Sequence, residues 1–353
     1  MIPQKKWGVW SVRRSDLQKV WNEGFDYVRP AYAVGDAFER WRSGSWQDQS
    51  VNTYYYDKTD NYATALSYAQ LAKSLGFTQL IYDSGLKYLY TEYRHYIHNP
   101  GYQTPYTSLE AVHAEVDRHF GEMSSVTGIA CHPYIDEPDL FGQEMLVEGG
   151  DVIWYDYIYS TDQLRQLPIA ESQNFDVWSN ERVQGFKALV DYAKIRGNSY
   201  GKQLIIATPV PDIERAYYYS SAQEDYRNLT VARKNDFPEY YYNNAVDKLM
   251  GILYKSAADL ANIIPAINSN YGNKFSSQLI NFFDLILGGT QSGASVQDII
   301  NQINTNSPHS AGDNWFYQGD CISLNVTING VNSQTQWNNL IQAIRSFGTQ
   351  PRS

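Results

Sequence analysis

Gly128-Ile-Ala-Cys-His-Pro-Tyr-Ile-Asp-Glu-Pro138 is an apolar run that stops on two adjacent carboxylates and a proline. A short run of this kind, bounded by Gly and Pro, reads as a buried strand. Just upstream, Thr107-Ser-Leu-Glu110 has the spacing of a capping box. Leu109, Val112, Val116, Phe120 and Met123 then recur every three or four residues, which predicts a helix with one inward face. A helix followed by a buried strand is half of a βαβ unit, and the rest of the chain repeats it.

Toward the N-terminus, Trp7–Val12 reads as a strand, Ser15–Gly24 as a helix with a cap and a terminal glycine, and Phe25–Pro30 as a second strand. Tyr62–Leu75 has helical apolar spacing closed by Gly76, and Thr78–Asp83 is a third strand, so the quoted stretch is the fourth. Toward the C-terminus, Asp151–Tyr159 reads as strand five, Glu181–Arg196 as a helix ended by Gly197, and Gln203–Pro209 as strand six. Ala245–Ala261, Ser276–Leu287 and Ser295–Asn304 then read as helices, with Ile263–Ile267 as a short strand seven, so a mainly helical insertion is expected at about 240–310. Trp315–Asn325 would close the set, and Trp337, Leu340, Ile341, Ile344 and Phe347 mark a last helix ended by Gly348. Alternation of this kind predicts one (β/α)8 TIM barrel over residues 1–353, with long aromatic-rich βα loops. The alternative, an open doubly wound sheet, lacks a GxGxxG or GxxxxGK[ST] loop after its first strand.

Composition narrows the function. A net charge of −10 and a pI near 5.1, with no Lys/Arg cluster, exclude nucleic acid as a partner. No apolar run approaches the ~20 residues that span a bilayer. Cys131 and Cys321 are the only cysteines and fall on expected inner strands, so they read as buried thiols and not as a disulfide framework. The six histidines form no HExxH or other zinc spacing and no serine-hydrolase elbow is present, so neither metal nor cofactor is expected. Met1-Ile-Pro-Gln-Lys-Lys lacks the apolar core of a leader. The 30 tyrosines and the sequons Asn228-Leu-Thr and Asn325-Val-Thr suggest an extracellular or cell-surface protein whose leader is absent from this chain, with a cytoplasmic setting left open.

In a parallel barrel, chemistry is done at the C-terminal ends of the strands. Glu137 is therefore the first catalytic candidate: a Glu desolvated by aromatic neighbours has its pKa raised into general-acid range, with Asp136 beside it to tune or orient. Asp136-Glu137-Pro138 resembles, as an Asp-Glu-Pro variant, the strand-four Asn-Glu-Pro signature of the large clan of retaining (β/α)8 glycoside hydrolases. Tyr27-Val-Arg-Pro30 is similar to the strand-two end of that clan, and the resemblance implies that Arg29 holds the nucleophile. The clan's nucleophile is a Glu ending strand seven, whereas Ile263–Asn268 offers no carboxylate. The second acid is thus open among Asp156, Asp83, Asp212 and Glu214. Retention would need carboxyls about 5 Å apart and inversion roughly 6.5–9.5 Å.

Sugar rings present apolar faces that lie against aromatic side chains. Trp41, Trp46 and Tyr54–Tyr56 follow strand two, Tyr88, Tyr90, Tyr93, Tyr96, Tyr102 and Tyr106 follow strand three, and Tyr217–Tyr219 follow strand six. Together with Arg29, Asp83, His132 and Tyr134, the loop residues Trp41, Trp46 and Tyr88 are the expected substrate contacts of a hydrolase acting on an oligo- or polysaccharide. The rival is a non-catalytic barrel that binds glycans or builds a surface, appendage or phage assembly. Tyrosine-rich surfaces between copies in a homo-oligomer suit that reading. A third reading is a sugar lyase or isomerase with Asp156 or Asp83 as base.

Overall fold

Described here, from a computed structural model, are residues 5–30, 62–86, 103–136, 143–148, 151–159, 164–169, 171–209, 247–252, 279–283, 293–309, 312–316, 327–328 and 331–352, with isolated positions between 89 and 101. The N-terminal elements follow the expected alternation: β1 (Lys6–Val12), α1 (Leu17–Asn22), β2 (Tyr27–Pro30), α2 (Tyr62–Leu75), β3 (Gln79–Asp83), α3 (Leu109–Ser124) and β4 (Ala130–Asp136). α1 stops because Gly24 takes φ +100°, which L side chains rarely adopt. α3 starts where Ser108 accepts the Ala111 N–H at 3.2 Å. Its inward face is Val112, Val116, His119, Phe120 and Met123, whereas Leu109 is exposed, so the buried stripe begins one turn later than the spacing predicts.

After β4 the structure departs from the sequence reading. Asp151–Tyr159 (β6) is not the fifth barrel strand; it pairs antiparallel with β5 (Gln143–Glu148) and β7 (Leu164–Ile169) in a separate three-stranded sheet. The register joins Glu148 to Asp151 across Gly149-Gly150, a two-residue connection that suits a tight hairpin. α4 (Glu171–Ser199) then returns to the barrel, where β8 (Ile205–Pro209) pairs with β4.

The region expected to be mainly helical contributes two barrel strands, β9 (Lys248–Ile252) and β10 (Leu279–Phe283), where helices were predicted. Strands of five residues are too short for a period of 2 to be told from one of 3.6, so periodicity cannot separate them from helix. The strand expected at Ile263–Ile267 lies outside the described residues. α5 (Val296–Asn306) starts from a Ser295/Asp298 capping box, and β11 (Asp313–Phe316) closes the sheet. A small antiparallel pair, β12 (Thr327–Ile328) and β13 (Val331–Asn332), precedes α6 (Ser333–Ser346).

The parallel strands run in the closed order β1-β2-β3-β4-β8-β9-β10-β11 and back to β1, which makes the fold an α/β barrel. Alternation along each strand divides the core in two. Val9, Val28, Leu80, Cys131, Ile206 and Phe316 face the helical layer. Trp10, Ile81, Tyr134, Ile205, Met250 and Trp315 fill the barrel interior, with Tyr27 against them.

Candidate functional site

The barrel interior is chemically different at its two ends. At the C-terminal end, Trp10 on β1 and Tyr134 on β4 meet edge to face, with ring centroids 4.5 Å apart. Arg29, the penultimate residue of β2, lays its guanidinium 4.0 Å from the Trp10 ring and 5.3 Å from the Tyr134 ring. Only 8% of Arg29 is exposed, and its Nη1 donates to the Pro30 carbonyl at 3.1 Å. A buried guanidinium is costly unless compensated, and two π faces supply about 2 kcal/mol or more in a desolvated setting.

Backbone register places two of the expected acids on the neighbouring strand ends. Asp83, the last residue of β3, pairs with Tyr134, and the following Ser84 N–H donates to the Tyr134 carbonyl at 2.9 Å. Asp136, the last residue of β4, pairs with Ala207 of β8. Arg29, Asp83, Tyr134 and Asp136 thus gather at the C-terminal ends of three adjacent strands. Asp156 does not join them, because its strand belongs to the antiparallel sheet, where it pairs with Gln143 and Leu167. Glu137, Asp212, Trp41, Trp46 and Tyr88 lie outside the described residues.

His132 sits lower than the sequence reading had it. It is the third residue of β4, two positions before Tyr134, and its Nδ1 accepts the Gln203 N–H at 3.0 Å in the segment entering β8. Burial, and then the charges of Lys202 and Lys248, bring its pKa down to about 4, so the ring is neutral near pH 7. Lys202 is buried beside it and donates to the Cys131 carbonyl at 2.7 Å. Burial pushes the Cys131 thiol up to about 11, which leaves it protonated and unreactive.

The N-terminal end carries an ionic layer that sequence reasoning did not find. Tyr27, Lys248 and Asp313 are the first residues of β2, β9 and β11. Lys248 Nζ lies 3.5 Å from Asp313 Oδ2, and the Tyr27 hydroxyl donates to the same carboxylate. Burial raises the Asp313 pKa, opposed by Lys248 and by the Tyr27 hydrogen bond, and burial likewise raises that of Tyr27. Above this layer the Trp315 indole lies across Gly8 and stacks on Tyr27 with centroids 5.8 Å apart. The missed aromatic of the upper site is Trp10. Its signal was alternation along β1, since it stands two positions beyond Gly8 and therefore on the same inward side.

A second missed residue follows from the ring order. β10 occupies the seventh place counted from β1, and the residue directly after it is Asp284. The expectation of a helix over Ser276–Leu287 kept this carboxylate out of consideration. Among the described residues no cluster of His, Cys, Asp or Glu could hold a metal ion, and no helix is long and apolar enough to cross a membrane.

No protein-family model matches the chain, and no curated protein matches its sequence. Solved structures similar to it include the glycoside hydrolase domain of PgaB (BpsB) from Bordetella bronchiseptica, at 9% identity, covering 99% of this chain and 100% of that one, with TM-score 0.49. A putative alpha-L-fucosidase from Bacteroides thetaiotaomicron has 11% identity, coverage of 98% and 96%, and TM-score 0.48. D-psicose 3-epimerase from Clostridium cellulolyticum has 13% identity, coverage of 97% of both chains, and TM-score 0.43. These proteins differ in their chemistry, so the choice among chemistries rests on the residues of this chain.

Proposed function

We propose that the chain is a carbohydrate-active barrel that hydrolyses glycosidic bonds in an oligo- or polysaccharide outside the cell or at its surface. Glu137 acts as general acid, and Asp284 supplies the second carboxylate. The observation that carries this reading is positional. Glu137 is the first residue after β4 and Asp284 the first after β10, the fourth and seventh strands of the ring. Two carboxyls across one mouth are what the chemistry needs, one to protonate the leaving oxygen and one to act as nucleophile or to activate water.

Arg29, on the second strand of the ring, is a fixed positive charge that keeps a nearby carboxylate ionised, and Asp83 and Asp136 hold substrate hydroxyls. Trp10 and Tyr134 form an apolar floor against which the face of a sugar ring can lie. The rival reading, a non-catalytic glycan-binding or structural barrel, rests on the excess of tyrosine together with a strand-seven end lacking a carboxylate, and Asp284, directly after β10 in sequence, speaks against the second of these.

Release of reducing ends is assayed from a panel of neutral polysaccharides with the wild type, Glu137→Gln and Asp284→Asn. Loss of a general acid lowers turnover about 10²–10⁴-fold, so each variant is expected to fall at least about a hundredfold with its fold intact. Unchanged turnover in either variant removes that residue from the mechanism. The anomeric configuration of the first product, read by NMR, separates retention from inversion.

A further inference from the structure

We propose that residues 348–352, the segment that follows α6, form a strap across the N-terminal end of the barrel whose grip on β1 and β2 sets the stack of Arg29 on Trp10 further along the same two strands. Thr349 and Arg352 are then positioning residues for the mouth; this rests on the reading of the mouth as a glycan-processing site.

The strap holds both strands near their starts. Thr349 is buried and accepts the Trp7 Nε1–H on β1 at 2.7 Å. Arg352 donates from Nη2 to Asp26 Oδ1 at 2.6 Å and from Nη1 to the Phe25 carbonyl, in the two residues before β2. Its backbone N–H donates to the Asn22 carbonyl at the end of α1, and its guanidinium lies 3.9 Å from the Trp21 ring. The path is close, because a Cβ added at Gly24 would meet Thr349 Cγ2 at 2.6 Å. Asp26 in turn joins the two strands: its N–H donates to the Trp7 carbonyl at 2.9 Å, and Lys6 Nζ lies 3.7 Å from its carboxylate.

The stack needs support from below because the β1–β2 ladder is irregular at its height. Val9 pairs with Val28 and Val12 with Pro30, so β1 takes three residue steps where β2 takes two. Trp10 and Arg29 fall inside that stretch. A bulge of this kind re-aims a side chain and locally interrupts the ladder, so the relative height of the two strands is fixed beneath it, by the pairing of Gly8 with Tyr27 and by the strap. Trp10 stands three residues beyond Trp7, and Arg29 three beyond Asp26, about 10 Å along each strand. A slip of β1 against β2 at the strapped end is carried along these short strands to the stack. A gap of about 1 Å forfeits up to about half of a close contact, so a guanidinium held 4.0 Å from a ring is sensitive to it.

The test reads Arg29 directly. In the whole chain with isotope-labelled arginine, the NMR signal of the Arg29 Nε–H, identified by its loss in Arg29→Lys, carries the ring-current shift of Trp10. Arg352→Ala and Thr349→Val are each expected to move it toward the position of an unstacked arginine at a temperature where both remain folded. Thr349→Ser, which keeps the hydroxyl, should leave it in place. Ser108→Ala, which weakens α3 away from the strap, controls for a general loss of stability and should not move it. On a polysaccharide that the wild type cleaves, Arg352→Ala and Thr349→Val should lower kcat about three- to tenfold with little change in KM. If Arg352→Ala does not fold, Thr349→Val decides. An Arg29 signal that stays fixed in the folded strap variants, or that moves as far in Ser108→Ala, overturns the strap, and so does a moved signal with unaltered cleavage. If the signal moves and the wild type cleaves no polysaccharide, the strap stands and the hydrolase reading falls; if cleavage is intact and the signal fixed, the hydrolase reading stands alone.

Discussion

Replacing His132 by Asn should remove most of the acid sensitivity of this barrel between about pH 7 and pH 5. The imidazole is 8% exposed, its Nδ1 is engaged as an acceptor by the Gln203 N–H, and Lys202 and Lys248 lie close enough to oppose a second charge. Burial first, and then the charges of Lys202 and Lys248, lower the pKa from 6.5 to about 4. In the unfolded chain the same ring takes up its proton near 6.5, so the unfolded state binds more protons throughout that window. The stabilisation is thus fully present above about pH 6.5 and is lost as pH falls toward about 4. With 1.36 kcal/mol per unit, the whole loss is about 3 kcal/mol, and about 2 kcal/mol of it accrues between pH 7 and pH 5.

Other shifted groups nearby do not mimic this. The Cys131 thiol stays neutral, and Asp313, whose pKa burial raises, acts in the opposite sense, because protonating it relieves a desolvated charge. Asn keeps a side-chain oxygen that can accept the Gln203 N–H but does not titrate. Urea unfolding at both pH values, followed by tryptophan fluorescence, should give a wild-type loss about 2 kcal/mol larger than that of His132→Asn. Equal losses in the two proteins, or an NMR titration that puts the His132 midpoint near 6.5, would refute the argument.

Three further outcomes are expected. Gly8→Ala should lower stability by about 3 kcal/mol, read as a large drop in Tm, because an added Cβ would sit 2.3 Å from the Trp315 indole in a filled barrel; an unchanged Tm would disprove that packing. Ser108→Ala should cost about 1 kcal/mol in chemical unfolding through loss of the α3 cap, and Ser108→Asp should recover it; equal stability of all three proteins would deny the cap a role. Arg29→Lys keeps the charge but loses the planar face held 4.0 Å from Trp10, so turnover should fall at least about tenfold in a folded protein; full activity would show that the stacked guanidinium does not shape the site.

The quoted stretch was legible because β4 is an apolar run too short for a helix, bounded by a glycine and a proline and ended by two acids. α3 was legible because a helix buried on one side leaves a period. β9 and β10 were not: Lys-Leu-Met-Gly-Ile and Leu-Ile-Asn-Phe-Phe are too short for either period to show, and reading the second as helix left Asp284 unconsidered. β6 misled for the opposite reason. Its nine residues have the strand propensity of a barrel member, and only its pairing with β5 across Gly149-Gly150 shows that it belongs to another sheet. Trp10, and the meeting of Tyr27 with Lys248 and Asp313, depend on which strands become neighbours, and no local pattern encodes that.

The contrast between the two ends of the barrel explains why one is scaffold and the other a candidate for chemistry. At the N-terminal end a formal positive charge meets a formal negative one, as Lys248 meets Asp313, and the Tyr27 hydroxyl adds a hydrogen bond to the same carboxylate. Such a set saturates itself and ties three strand beginnings together. At the C-terminal end the Arg29 guanidinium rests on π faces, which lower the cost of burying it. A carboxylate brought near that guanidinium is held ionised while one shielded from it by aromatic rings is driven toward its neutral form, and a mouth that holds both kinds separates an acid from a base. Asp83 and Asp136 end the two strands that follow β2 in the ring, and Glu137 is the next residue in sequence after Asp136.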